Sequence, residues 1–183
     1  MANAAEHRES LVHHATRLFR RQGYASTGLA QILADSGAPR GSLYYYFPGG
    51  KEALAEAAVA HAGALVERTL MELAARHPRP RAFIRAYCRV MAGWMEESGF
   101  RSGCPIATVL LETAPDSPAI TQAGQVALDS WVRVIAEVLA QDGSSRRAAQ
   151  SRAQALVAAI EGSLILARVR QSTRPILDVA RLI

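Results

Sequence analysis

Apolar residues recur along this chain at spacings of three and four, in runs separated by glycine, proline and small polar residues. That is the rhythm of helices with one buried face. Residues 6–22 put Leu11, Ala15, Leu18 and Phe19 on one side, turn Arg17, Arg20 and Arg21 partly outward, and stop at Gly23. Leu29, Ile32 and Leu33 repeat the pattern over a shorter span. Thr27 is the candidate cap for that span, although no Glu or Gln follows three residues later to close a capping box. Ser36-Gly37 breaks the chain, because glycine reaches the left-handed conformation of a sharp exit. Pro39 then suits the first turn of another helix, whose Leu43 and Phe47 face inward.

From Lys51 to Arg76 runs a long alanine-rich pattern through Leu54, Ala58, Leu65, Val66, Leu70 and Leu73, closed by His77-Pro78 and Pro80. Further helices are predicted over 80–98, 106–113, about 117–140, about 145–171 and after Arg174-Pro175. Asp116 or Ser117 can cap the helix over about 117–140, in which Val126, Leu128, Trp131, Val134, Ile135 and Val138 are apolar. No alternation of period two and no internal repeat occurs, so the predicted fold is all-α: a three-helix N-terminal domain joined by a long helix to a larger helical domain. A rigid connector entering two cores can transmit a tilt. The last two helices carry more apolar surface than one small domain needs, which fits a half-buried pair completed by a second copy in a twofold four-helix interface.

Composition narrows the classes. At 183 residues and 50% hydrophobic, the chain can bury a sizeable core, and 20% charged residues without low-complexity tracts exclude a disordered chain. The net charge of +5 is uneven, with six basic against three acidic residues in 1–51 and fifteen against thirteen in 52–183. A positive N-terminal domain suits a polyanion. Glu161 and Arg168 interrupt the most hydrophobic region, so no run reaches the roughly 18 apolar residues of a membrane span. Glu6, His7, Arg8 and Glu9 precede any apolar run, unlike a signal peptide, and a cytoplasmic location without membrane contact is expected. Cys88 and Cys104 offer no metal-knuckle spacing and are expected as buried thiols.

Residues 26–51 add chemistry that a core does not need. Two short helices about Gly37 form a helix-turn-helix, and the second is loaded with donors and flat rings. Arg40 can reach a guanine edge or a phosphate, Gly41 lets backbone approach a duplex, and Ser42, Tyr44, Tyr45 and Tyr46 can bond phosphate oxygens. Lys51, the one lysine of the chain, opens the next helix, where ammonium and helix dipole both favour a phosphate.

This stretch resembles the DNA-binding domain of the TetR family of bacterial transcriptional regulators. In that family a glycine turn is followed by a small or polar residue, a basic residue, Gly, a small residue, Leu-Tyr, two more aromatic or His positions, Phe, and a Lys opening helix four. Here those places hold Ala38-Pro39, Arg40, Gly41, Ser42, Leu43-Tyr44, Tyr45-Tyr46, Phe47 and Lys51. Pro48-Gly49-Gly50 inserts one more residue before Lys51 than many members carry, a form similar to the LmrA/YxaF-like branch. The resemblance covers about residues 6–55. It implies a DNA-binding domain over 1–50 that uses Thr27, Arg40, Gly41, Ser42, Tyr44, Tyr45, Tyr46 and Lys51, and a ligand-binding and dimerisation domain over 51–183. It further implies a homodimer through Ala153, Leu156, Ile160, Leu164, Ala167 and the final helix, reading a palindromic double-stranded operator.

In the second domain Tyr87, Met91, Trp94, Met95 and Trp131 are soft or flat side chains suited to an adaptable apolar cavity, with Met71 nearby in the pattern and Thr108 and Glu112 as polar anchors. The expected partner there is a small, largely apolar effector, and the resembled branch points by analogy to aromatic, antibiotic-like or flavonoid-like compounds. No cofactor is expected. The rivals are a small all-α cytoplasmic enzyme and a ligand-independent DNA-binding protein. Against an enzyme, His13 and His14 are adjacent and point about 100° apart on a helix, and no nucleophile elbow, phosphate loop or His-Glu-x-x-His occurs.

Overall fold

The computed structural model describes residues 4–182; Met1, Ala2, Asn3 and Ile183, the ends of the two expected domains, lie outside the described residues. The described chain is helical throughout, without a strand: α1 (Ala4–Gln22), α2 (Leu29–Ser36), α3 (Arg40–Tyr46), α4 (Gly50–Arg76), α5 (Pro80–Glu97), α6 (Ala107–Thr113), α7 (Pro118–Leu139), α8 (Arg146–Arg170) and α9 (Arg174–Val179), with a short 3-10 turn at Ala140–Asp142. No helix among the described residues is long and apolar enough to cross a membrane.

The helix starts that carry a cap or proline signal follow local chemistry, with one exception. Ser117 opens α7, its hydroxyl accepting from the Ile120 amide at 3.5 Å, and Ser145 opens α8, accepting from Ala148 at 3.3 Å. Pro80 stands in the first turn of α5, where its missing amide costs nothing. Thr27 is the exception. The cap of α2 is Gly28, without a side-chain bond, and the buried Thr27 hydroxyl instead donates to the Gly23 carbonyl at 2.6 Å. It satisfies an orphan acceptor at the end of α1 rather than a donor at the start of α2, so the cap of α2 falls one residue later than the Thr27 signal implies.

Two compact units make up the chain, residues 1–64 with 105–127 and residues 65–104 with 128–183. α4 and α7 contribute to both, and on them Leu65 and Val126, apolar in the pattern, lie exposed. In the first unit α1 packs on α2, α3 and α6 around fully buried Leu11, Phe19, Ile32, Leu43, Leu54 and Ile120. There α4 and α7 cross so closely that a Cβ on Gly63 would stand 2.5 Å from the Ala127 Cβ. In the second unit α5, α8 and α9 pack together, burying Phe83, Ile84, Met95, Ala153, Ala167 and Ile176.

Candidate nucleic-acid interface

Between α2 and α3 the chain turns at Gly37, which sits at φ +65° with its amide donating to Leu33 at 3.1 Å. Glycine holds that left-handed conformation without a Cβ penalty. The inward face of the seven-residue α3 is fixed by Leu43, with Phe47 just beyond its end; both are buried, and the Arg8 guanidinium lies 5.5 Å from the Phe47 ring centre. What remains faces outward. Arg40 and Gly41 are exposed, and Tyr44 and Tyr45 are 61% and 79% exposed. A Cβ on Gly41 would meet nothing within 4 Å, so no contact inside the protein calls for a bare backbone there. Tyr46 is half-buried and stands edge-on to Tyr45 at 4.9 Å, a support more than a contact surface. Ser42 donates its hydroxyl proton to the Pro39 carbonyl at 2.6 Å, which leaves it only lone pairs to offer outward. Thr27, buried and bonded to Gly23, offers no side-chain group to a duplex.

Lys51 lies in the first turn of α4, one residue after Gly50, which stands at φ +64°. Its ammonium reaches back to the turn between α1 and α2, donating to the Ala25 carbonyl at 3.4 Å and standing 4.3 Å above the Tyr24 ring centre. Burial pushes its pKa below the usual lysine range, and the nearby Glu112 carboxylate opposes that shift. Burial and the Glu52 charge push the Tyr24 phenol upward.

Sequence reasoning placed Glu112 on an effector; the structure places it elsewhere. From α6 its carboxylate accepts the Tyr24 amide at 3.1 Å and the Ala25 amide at 2.6 Å. Those amides lie in a turn outside the helices, and a carboxylate with two free oxygens satisfies both. The neighbouring Glu52 carboxylate accepts a short hydrogen bond from Ser117. Nothing in the local sequence at 112 announces a partner 88 residues away.

A glycine-hinged pair of helices, with a recognition helix whose donors and rings face solvent, is the geometry of a helix-turn-helix reader. Residues 11–58 match the family described as bacterial regulatory proteins, tetR family, and residues 80–182 match the C-terminal domain of LmrA/YxaF-like transcriptional regulators. The chain belongs to the TetR family. Among similar proteins, the HTH-type transcriptional regulator YxaF of Bacillus subtilis (strain 168) is 33% identical over 98% of this chain and 94% of its own length. The HTH-type transcriptional regulator LmrA of the same organism is 34% identical over 94% and 92%. The regulatory protein TetR from Rhodobacter sphaeroides shares the fold, with a TM-score of 0.84 over 95% of each chain at 24% identity. This TetR-family chain is therefore an all-α transcriptional regulator with a DNA-binding helix-turn-helix.

The residues expected to hold an effector divide between the two units. Tyr87, Met91 and Met95 of α5 and Trp131 of α7 are buried in the second unit, with Trp94 half-buried, whereas Thr108 and Glu112 of α6 belong to the first. A hollow of about 230 Å³ in the second unit is lined by Met71, Val134 and Val138, not by those five. Both cysteines are buried, and burial pushes the Cys88 thiol up to about 11, which makes it a poor nucleophile. Ala153, Leu156, Ile160, Leu164 and Ala167, expected at a dimer interface, are all buried inside the single chain. The stripe of α8 left open is the next one round: Ala158, Gly162, Ile165, Leu166 and Val169, with Ile165 64% and Val169 78% exposed. α9 adds exposed Leu177.

Proposed function

We propose that this chain is a ligand-responsive repressor that binds a palindromic double-stranded operator as a homodimer in the cytoplasm and releases it when a small, largely apolar effector binds. Residues 1–50 form the reading domain and residues 51–183 the effector and dimerisation domain. The observation that carries the reading is the outward face of α3, where Arg40, Tyr44 and Tyr45 are presented to solvent around the bare backbone of Gly41. Arg40 and the tyrosines enter the major groove, Lys51 holds a flanking phosphate, and Tyr46 braces the ring beside it. Thr27 contributes through the placement of the turn it ties down, and Ser42 through its remaining lone pairs.

The open apolar stripe of α8 with Leu177 of α9 supports pairing with a second copy, because isolated exposure of Ile165, Leu166 and Val169 in one patch leaves apolar surface in water. Two reading helices on a twofold axis fit half-sites about one helical turn, roughly 34–36 Å, or a multiple of it apart. Tyr87, Met91, Trp94, Met95 and Trp131 give the second unit a soft aromatic interior suited to a flat ligand. If operator and effector oppose each other, each weakens the other by the same factor.

The test is selection of bound duplexes from a random pool by the full chain, followed by titration of flat aromatic compounds read through tryptophan fluorescence. Enrichment of a palindrome, bound by a dimer and released by a compound that quenches Trp94 or Trp131, supports the reading. A folded monomer with no preferred duplex overturns it.

A further inference from the structure

We propose that Glu112 is a positioning residue for the phosphate contact: by holding the Tyr24 and Ala25 amides it fixes the platform on which the Lys51 ammonium is aimed. The inference rests on reading Lys51 as a phosphate ligand.

The turn after α1 has few anchors of its own: the Gly23 amide on Phe19, the Thr27 amide on Tyr24, the Thr27 hydroxyl on Gly23, and the Gln22 side chain on Ser26. None of them holds the amides of Tyr24 and Ala25. Glu112 does, with one oxygen on each amide, Oε1 at 3.1 Å from Tyr24 and Oε2 at 2.6 Å from Ala25. Two bonds from one planar group tie together the two successive peptides that carry these amides, Gly23–Tyr24 and Tyr24–Ala25. The same two residues then hold the lysine, Ala25 by its carbonyl at 3.4 Å and Tyr24 by its ring face at 4.3 Å.

The chain leaves room for this carboxylate. Gly23 has no Cβ where one would stand 2.3 Å from Oε1. Both oxygens face amides, and among the described residues no ion pair joins Glu112 to Lys51. The carboxylate therefore holds the turn without a direct ion pair to the ammonium, which donates one proton to Ala25 and keeps others for a ligand. A lysine whose ammonium is already held has less rotamer freedom left to lose when it meets a phosphate.

The experiment uses the full chain as wild type, Lys51→Ala, Glu112→Gln and the double variant, binding a fluorescein-labelled random-sequence duplex between roughly 50 and 200 mM salt. Lys51→Ala is expected to lower the slope of log K against log salt by about 0.9 for each protomer on the duplex. The affinity lost across that salt range then shrinks by about threefold to fourfold per protomer. Glu112→Gln is expected to lower the slope by at least half as much, and the double variant to match Lys51→Ala. Amide hydrogen exchange at Tyr24 and Ala25 rises in Glu112→Gln while α1 stays protected. Glu112→Asp, one methylene shorter, serves if the glutamine variant fails to fold, and gives an intermediate slope. A full wild-type slope in folded Glu112→Gln, or unchanged exchange at the two amides, overturns the inference, and tighter binding overturns it by making the carboxylate a competitor of phosphate. If Lys51→Ala alone keeps the wild-type slope, it is the lysine reading that has failed, and the Glu112 role falls with it.

Discussion

Replacing Gly23 with alanine tests the turn from the opposite side. Gly23 stands at φ +91°, and an added Cβ would lie 2.3 Å from Glu112 Oε1 and 3.3 Å from its Cδ. Alanine there pays first for a backbone region that side chains rarely adopt, about 1–3 kcal/mol. The contact is then far inside van der Waals range, and of the two partners the exposed glutamate side chain moves more easily than the end of α1. Its departure removes two hydrogen bonds, about 0.5–1.5 kcal/mol each once water replaces the carboxylate. Gly23→Ala is thus expected to destabilise by about 2–6 kcal/mol, of which about 1–3 depends on Glu112. In a Glu112→Ala background only the backbone part remains, so the two substitutions should be sub-additive by that amount. Gly37→Ala is the control, with φ +65° and nothing within 4 Å of the added Cβ. Urea unfolding followed by circular dichroism at one protein concentration supplies all the values. If Gly23→Ala costs the same in both backgrounds to within about 0.5 kcal/mol, the Glu112 contact does not constrain Gly23 and the reasoning fails.

Other consequences follow from the same geometry. Arg40→Ala should relax the preference at one operator position by about 1–3 kcal/mol in competition binding; a uniform loss across sequences with a shallower salt slope would assign Arg40 to a phosphate instead. Ile165→Glu, at a position 64% exposed in the single chain, should leave circular dichroism unchanged yet raise the dimer dissociation constant by at least about a hundredfold, since each protomer forgoes about 1.5–3 kcal/mol of burial; sedimentation of an intact dimer would remove α8 from the interface. His14 is pushed below its ordinary 6.5, chiefly by burial and then by the charges of Arg17 and His13, and its Nδ1 is buried without a hydrogen-bond partner. The folded chain therefore holds that proton less tightly than the unfolded one, and stability should rise as pH climbs from below the depressed value toward 6.5. His14→Gln should flatten that part of a stability against pH curve, and an unaltered curve would show that another group titrates there.

Much of the fold was legible because it is written in short-range signals. Spacings of three and four place the helices, and Gly37, Pro80, Ser117 and Ser145 mark ends where a left-handed exit, a missing amide or a hydroxyl cap is needed. The reading helix was legible for a different reason. Arg40, Gly41, Tyr44 and Tyr45 are residues for which the inside of the protein has no use, and the structure leaves them in solvent as that logic requires. Thr27 marks the limit of such signals, since a hydroxyl near a helix boundary can serve the carbonyls behind it or the amides ahead of it, and only the turn geometry decides.

The rest depended on contacts between distant segments, which a periodic pattern does not encode. Glu112 has the composition of an exposed helix position, and its role appears only when α6 is folded against the turn at Tyr24 and Ala25. α8 shows the same limit in another form. Its sequence reveals an excess of apolar residues, enough for two faces, but not which face the protomer keeps for itself. Small residues at 153 and 167 let α8 sit close to its neighbours, so the stripe through Leu156, Ile160 and Leu164 is consumed by the core of the second unit. The stripe through Ala158, Gly162, Ile165 and Val169 is left in water by the same packing. Rotating the assignment by one stripe keeps the proposal of a twofold helical interface and its α9 part but changes the α8 residues in it, which is why substitutions at Ile165 and at the buried Leu164 have to give different outcomes: lost pairing at the first, lost folding at the second.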